Sequence, residues 1–499
     1  MDIALKLRKQ SELTPDKTAI IFRDEIITFD TFTSMVNGLS NGLRKRGIEK
    51  GDKVAVYLPN TPEYAIAYFA VFSLGACVVP LDVNLTTEEV KCILKHSETK
   101  LVISKSLKNL SFGDLKKETP SLKDIIVFDA DNETDGFSSF DKVLNENKND
   151  FSQTLINDND LAVLFYTSGT TGKPKAVMLN YKNLENACRT MAHIGVEKHF
   201  GDIQICALPL SHIGGMIYLQ ITVEYGAGII LMERFIPVEF LKNIEKHKAN
   251  WFHIVPAMFT ALLHLKEFEK YDLTSVTGVN IFGAPSHPSL IQRFGQYCPN
   301  STLWHGWGMT ETSAPNTAVS NENLKSVGKT PPWFEVKIFD NNDNELPIGE
   351  TGEIVCRGWP VMMGYYKEPE MTAEIMRGGW LHTGDLGTID KEGFIYIRGR
   401  KKDMIITGGL NVYSPEVENV LMEHPKVKEA AIIGIPDELR GEIVKAVVVL
   451  KEGEQADGNE IKAFCRQKLI HFKVPVIVEF SDTLPKTRTG KVQKELLKK

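Results

Sequence analysis

Short apolar runs alternate with longer amphipathic segments through most of the chain. Lys53–Leu58, Cys77–Leu81 and Lys100–Ser104 predict strands, while Pro62–Leu74 and Thr87–His96 predict helices, the first with proline in its opening turn, where that residue is tolerated. Ala19–Phe29 predicts a hairpin turning at Asp24-Glu25. The alternation resumes over Tyr181–Ala192, Gln204–Leu208, Gly228–Leu231, Pro237–His247, Trp251–Val255 and Pro256–Leu265. Strands alternating with helices imply parallel sheets covered by helices, an α/β fold. Phe112–Asp160 is polar and is expected to hold surface loops around one strand, Asp124–Phe128. From Leu324 to Ile397 short β-like runs separated by turn clusters predict a small antiparallel, β-barrel-like unit.

A dense charge run, R-G-R-K-K-D, then precedes a separate αβ pattern. Its helices are expected at Pro415–Glu423 and Gly458–Leu469, its strands at Val427–Ile435, Ile443–Leu450 and Val476–Phe480. About a hundred residues suffice for an independent core. The expected division is a large N-terminal domain, 1–401, and a small α+β C-terminal domain, 402–499.

The longest apolar run, Ala65–Pro80, is broken by Gly75 and is shorter than the ~20 residues a membrane helix needs. It predicts a buried helix leading into a strand, and no transmembrane segment is expected. The N-terminus lacks an apolar signal core. The 499 residues are 42% hydrophobic and 24% charged, enough material for more than one core. A net charge of −6 gives no reason to expect a nucleic-acid partner, so any polyanionic ligand must be held by local cations and backbone amides. Seven scattered cysteines without a C-x-x-C argue against a disulfide framework or zinc site and fit a reducing, cytoplasmic setting. Oligomeric state is left open, a homo-oligomer included.

Chemistry concentrates in a few clusters. Tyr166–Lys175 reads Y-T-S-G-T-T-G-K-P-K. Glycines let backbone N–H groups approach an anion, and hydroxyls and lysines complete a phosphate cradle. The Walker A spacing cannot be placed on it. Further on come G-A-P (283–285), W-H-G-W-G-M-T-E-T (304–312), H-T-G-D (382–385), G-R-K-K-D (399–403), I-I-T-G-G-L-N (405–411) and P-K-T-R-T-G-K (485–491). Each alone is weak; in this order they are specific. The chain resembles the acyl-adenylate-forming enzymes, which include acyl-CoA synthetases, adenylation domains of peptide synthetases, and luciferases. The resemblance runs over nearly its whole length.

That resemblance implies a two-step reaction. A carboxylate attacks the α-phosphate of ATP to give acyl-AMP and pyrophosphate; CoA thiolysis then gives acyl-CoA and AMP. A fatty acid is the expected acyl donor. Thr167, Ser168, Gly169, Thr170, Thr171, Gly172, Lys173 and Lys175 would clamp the β- and γ-phosphates, with Thr167 and Glu311 placing Mg²⁺, an ion suited to hard oxygen ligands. Gly283, Ala284, Pro285, Gly306, Trp307, Gly308, Met309 and Thr310 would hold the adenylate, Thr310 at the α-phosphate and the Trp307 ring near adenine. Asp385 and Arg400 match the ribose-binding pair. Lys491 matches the lysine of the adenylation step, and Lys402 the hinge about which a mobile C-terminal domain swivels. Gly408 and Gly409 match the loop that admits the pantetheine arm, and Arg440 lies in a segment resembling a CoA-contacting loop. His212 matches an acyl-pocket gate, while Gly214, Gly215 and Gly283 either line an acyl tunnel or serve packing.

Two departures are visible. Ala176 stands where many relatives have glycine, and Trp307 where they usually have tyrosine. A carrier-protein-loading enzyme and a catalytically inactive nucleotide-binding protein are the competing readings. No carrier domain follows Lys499, and Glu311, Asp385, Arg400 and Lys491 are all present, which favours a CoA-dependent ligase.

Overall fold

The computed structural model describes residues 3–105, 112–129, 137–145, 154–167, 175–266, 268–283, 288–320, 323–486 and 491–498. Two large sheets form the N-terminal body. The seven-stranded one runs in the order Thr302–His305, Gly278–Ile281, Trp251–Ile254, Ile203–Cys206, Gly228–Leu231, Thr18–Phe22, Glu25–Thr28, parallel up to its terminal hairpin. The eight-stranded one runs Gly364–Tyr365, Lys175–Asn180, Leu161–Thr167, Cys77–Pro80, Lys53–Tyr57, Leu101–Ser104, Asp124–Val127, Ser138–Ser139. One core joins both sheets through the helices Phe29–Lys45, Pro62–Ser73 and Ile213–Tyr225. The outer faces carry the helices Thr87–Ser97 on one side and Pro237–His247 with Pro256–Leu263 on the other. The result is a helix–sheet–helix–sheet–helix stack. Lys53–Tyr57 shows why its strands read as continuous apolar runs: Val54 and Val56 face the central core, Ala55 and Tyr57 the outer one.

Three expectations shift. The first hairpin turns at Arg23-Asp24, both with positive φ (50° and 70°), as a two-residue turn requires, and not at Asp24-Glu25. The stretch from Tyr181 begins as a 3₁₀ turn, Asn183–Glu185, before the helix Asn186–His193. Reciprocal bonds hold that turn: the Asn180 N–H donates to Asn183 Oδ1 at 2.9 Å and the Asn183 N–H to Asn180 Oδ1 at 2.8 Å. The polar region 112–160 is more than loops around a strand. It contains the helices Phe112–Glu118 and Phe140–Asn145, and Phe140, Val143 and Leu144 are buried in the central core at helical spacing.

The strand Leu161–Thr167 is parallel to Cys77–Pro80, but Lys175–Asn180 returns antiparallel beside it. Thr167 and Lys175, at the two ends of the phosphate-loop segment, are therefore antiparallel partners; Ser168, Gly169, Thr170, Thr171, Gly172 and Lys173 lie outside the described residues, as do Ala284 and Pro285. The small antiparallel unit is a four-stranded sheet: Phe334–Phe339, Gly352–Gly358, Leu381–Ile389, Ile395–Arg400. Residues 404–480 build a fourth sheet of five strands with its own core, in which Ile405, Val417, Leu421, Ile432, Val444, Ile461 and Cys465 meet. All seven cysteines are free, and all but Cys92 are buried. No helix among the described residues is long and apolar enough to cross a membrane.

Phe140 tests the hidden helix. Phe140→Ala should lower unfolding free energy by about 3–5 kcal/mol, read from denaturant unfolding. Leu155→Ala, at a side chain 81% exposed, should change it by less than about 0.5 kcal/mol. Equal small effects would show that the helix is not part of the core.

Candidate active site

The segment Gly306–Thr312 leaves the strand Thr302–His305 and closes as a 3₁₀ turn, Thr310–Thr312. A Cβ on Gly306 would lie 2.0 Å from the Thr317 carbonyl oxygen, so only glycine lets the two backbones pass. Glu311 is fixed at both ends: its carbonyl accepts from Met362 N–H at 2.8 Å, and Oε1 accepts from the Tyr365 hydroxyl at 3.1 Å. Lys175 Nζ stands 5.1 Å from the centre of the same tyrosine ring. Tyr365 pairs with Val177 in the strand that leads back from the phosphate loop, so Glu311, Lys175 and the Thr167 end of the hairpin face one region.

Asp385 and Arg400 are cross-strand partners in the antiparallel sheet. Arg400 Nε lies 2.6 Å from Asp385 Oδ1. The other oxygen, Oδ2, accepts the indole N–H of Trp307 at 2.8 Å. Trp307 is only 7% exposed and packs in the central core. Its polar edge anchors the Asp385 carboxylate.

Lys491 is brought to the same place from the far end of the chain. Desolvation in the surrounding cleft lowers its ammonium pKa, and the charge of Arg400 lowers it further; Asp385 and Glu311 act in the opposite sense, and Lys402 adds to the lowering. Much of the side chain still has accessible surface, as befits a lysine reaching across a cleft.

His212 caps the start of the helix Ile213–Tyr225, with Nε2 3.3 Å from Asp82 Oδ2. Burial pushes the Asp82 carboxyl up, but hydrogen bonds from His212 and Asn84 and the His212 charge outweigh it and hold the pKa at about 2. Gly214 sits under the Phe282 ring and Gly283 beside Val255. Gly215 is a correction: a Cβ there would meet the Pro209 carbonyl oxygen at 2.1 Å, so it serves helix–loop packing and not a tunnel wall. Beside this helix Leu179, Ala187, Ile213, Met216, Gln220 and Ala314, among others, pack around a tight crevice with no room for a water molecule.

Lys402 lies in a 3₁₀ turn, Lys401–Asp403, between the antiparallel unit and the C-terminal sheet. Gly408-Gly409 form the two-residue turn of the hairpin Met404–Thr407/Leu410–Tyr413, at φ +56° and +79°. Nothing lies within 4 Å of a Cβ built on either, so here backbone conformation, not crowding, requires glycine. The Gly408 N–H donates to the Arg440 carbonyl at 2.8 Å, which joins these three residues at one end of the sheet.

Sequence reasoning missed Glu353. It is buried, and it accepts from the Gly384 N–H at 3.1 Å and faces Lys401 Nζ at 3.1 Å and His382 Nδ1 at 3.4 Å. It thereby ties the T-G-D turn to the residue before Lys402. The signal was available: a carboxylate inside the apolar strand G-E-I-V-C needs partners.

The sequence profile described as AMP-binding enzyme matches residues 7–366, and that of the AMP-binding enzyme C-terminal domain matches residues 416–491. The chain belongs to the AMP-binding enzymes. This AMP-binding enzyme is similar to a long-chain-fatty-acid–CoA ligase of Bacillus subtilis (strain 168), at 35% identity over 97% of this chain and 91% of that one. It is similar to a feruloyl-CoA synthase of an Amycolatopsis species, at 34% over 97% and 96%. Among solved structures it resembles the o-succinylbenzoate coenzyme A synthetase of Bacillus subtilis in complex with ATP and a magnesium ion, with a TM-score of 0.85 and 29% identity over 99% of both chains. This adenylating family thus includes both acyl-CoA and aryl-CoA ligases.

Burial pushes Glu353 up, but Lys401, His382 and the Gly384 N–H outweigh it, so its pKa sits below the ordinary value. Such a carboxylate adds stability above its unfolded pKa, about 4.3 for glutamate, and loses it as pH falls through the folded value. Thermal unfolding should therefore show wild type more stable than Glu353→Gln at neutral pH, with the margin closing below about pH 4. A margin that stays constant to pH 3 would reject this network.

Proposed function

We propose that the chain is an AMP-forming carboxylic acid–CoA ligase. The observation that carries this reading is the meeting of Lys491 with Glu311, Asp385 and Arg400 at one cleft, joining the C-terminal end to the N-terminal body. Asp385 and Arg400 take the ribose hydroxyls of ATP. Lys491 meets the carboxylate and the bridging oxygen, an interaction stronger in the transition state than in the ground state. Thr310 stands at the α-phosphate. No protein nucleophile is required, because CoA brings its own thiol.

Magnesium fits this donor set as part of the nucleotide complex. No group of three or more His, Cys, Asp or Glu side chains among the described residues could hold a metal alone. Glu311 and Thr167 would supply hard oxygens beside the phosphates, in keeping with Mg²⁺ sites built mainly from substrate and water. Bound there, the ion would neutralise phosphate charge. The ATP and magnesium held by the similar o-succinylbenzoate synthetase support the reading.

The C-terminal unit, 402–499, swings about Lys402 between the steps, carrying Gly408, Gly409 and Arg440 towards the adenylate to form the CoA path. Its separate core and the short turn at Lys401–Asp403 support this division. A fatty acid is the preferred acyl donor, supported by the fatty-acid ligase relative. A second reading, an aryl acid, is favoured by the similarity to a feruloyl-CoA synthase. CoA-dependent AMP formation across fatty and hydroxyaryl acids separates the two. Substituting a phosphopantetheine carrier for CoA tests the carrier-loading alternative.

Lys491→Ala should abolish most acyl-adenylate formation while sparing thiolysis of supplied acyl-adenylate. Equal losses in both half-reactions would reject a step-specific lysine. Because the working form is the cation and its pKa is lowered, adenylation should be lost as pH rises, with a midpoint in kcat/KM for ATP below about 10.4, the free-lysine value. A limb at or above that value would show that the cleft does not depress the lysine.

A further inference from the structure

We propose that Trp307 is a positioning residue for ribose recognition: its indole N–H, not its ring face, sets the orientation of the Asp385 carboxylate that receives the ribose hydroxyls. The inference rests on the assignment of Asp385 to the ribose. Trp307 is buried, and its Nε1 stands 2.8 Å from Asp385 Oδ2. An indole N–H is a donor only, so it cannot reverse roles and release the carboxylate.

The two partners of Asp385 differ in kind. The Arg400 side chain, 2.6 Å from Oδ1, is 44% exposed and can turn towards an incoming nucleotide. Trp307 cannot. Its backbone N–H donates to Thr317 Oγ1 at 3.0 Å, its carbonyl accepts from Asn316 N–H at 3.0 Å, and the ring is held in the central core. Asp385 is braced from its own side, its N–H donating to Thr383 Oγ1 at 3.1 Å. A carboxylate has about four lone-pair sites. One donor on each oxygen therefore leaves acceptor capacity on both, and the two remaining directions suit the adjacent 2′ and 3′ hydroxyls of a ribose. The rigid partner fixes where those directions point, and Arg400 is the exchangeable one.

The test measures acid-dependent pyrophosphate release with ATP, 2′-deoxy-ATP and 3′-deoxy-ATP. Wild type should prefer ATP. Trp307→Phe keeps an aromatic ring and removes the N–H. It should raise KM for ATP about tenfold, change kcat by less than about threefold, and lose most of the preference over the deoxy analogues. Replacement of Trp307 by 3-benzothienylalanine, which has the same shape with sulfur in place of N–H, should do the same, and it decides the matter if the phenylalanine variant folds poorly. A stacking role predicts equal weakening for all three nucleotides with the preference retained, and that result would overturn the proposal. Unchanged KM and preference would overturn it too. Failure of wild type itself to prefer ATP would remove the ribose assignment of Asp385, and this inference with it.

Discussion

A carboxylate placed where water barely reaches must be satisfied by fixed partners, and Asp385 is that group here. An isolated charge at such a site is expensive, and a buried ion pair does not by itself favour folding. What the pair does is fix geometry. Antiparallel register sets Arg400 directly across from Asp385, the loop after the seven-stranded sheet delivers the Trp307 N–H, and Glu353 holds the preceding Gly384. Three segments far apart in sequence are thereby committed to one arrangement. Glu353 extends the same constraint to Lys401, at the exit towards the C-terminal sheet.

Around this anchor, opposing charges surround one lysine. The ammonium of Lys491 is disfavoured first by desolvation, then by Arg400 and Lys402, while Asp385 and Glu311 favour it. Two cations and two carboxylates act in opposite senses, so loss of solvent more than a net local charge sets the direction. A polyanion bound at the proposed nucleotide site would place an opposite charge beside the ammonium and favour its charged form.

Much of this was legible from the chain alone, because α/β strands buried on both faces and turn clusters leave strong marks. Val54 to Tyr57 reads as a strand whichever face is considered. The helix Ile213–Tyr225 was not legible: nearly all of it is buried, so no polar stripe marks its period, and the two glycines at its start suggest a loop. The helix at Phe140 was lost for the opposite reason, a short apolar triad within a charged segment. The motifs that carry the candidate site residues stand out along the chain, whereas the hydrogen bond from Trp307 to Asp385 joins positions whose pairing depends on how two sheets meet. Spacing along the chain carries no trace of that.

Gly408-Gly409 shows how one residue type can be right for a reason the sequence does not state. The sequence suggested glycine for room, since a thiol-bearing arm must pass. The structure shows open space at both positions and a backbone that side-chain-bearing residues seldom adopt, at the tip of an exposed hairpin. The two reasons are compatible under the proposed swing of the C-terminal unit, which assigns them to different arrangements. A tight turn with positive φ at both residues is also the narrowest tip a hairpin can offer, without side chains at its end. In the proposed swing, a turn set by its backbone is already slender enough to approach an adenylate, and the local fold alone sets that shape.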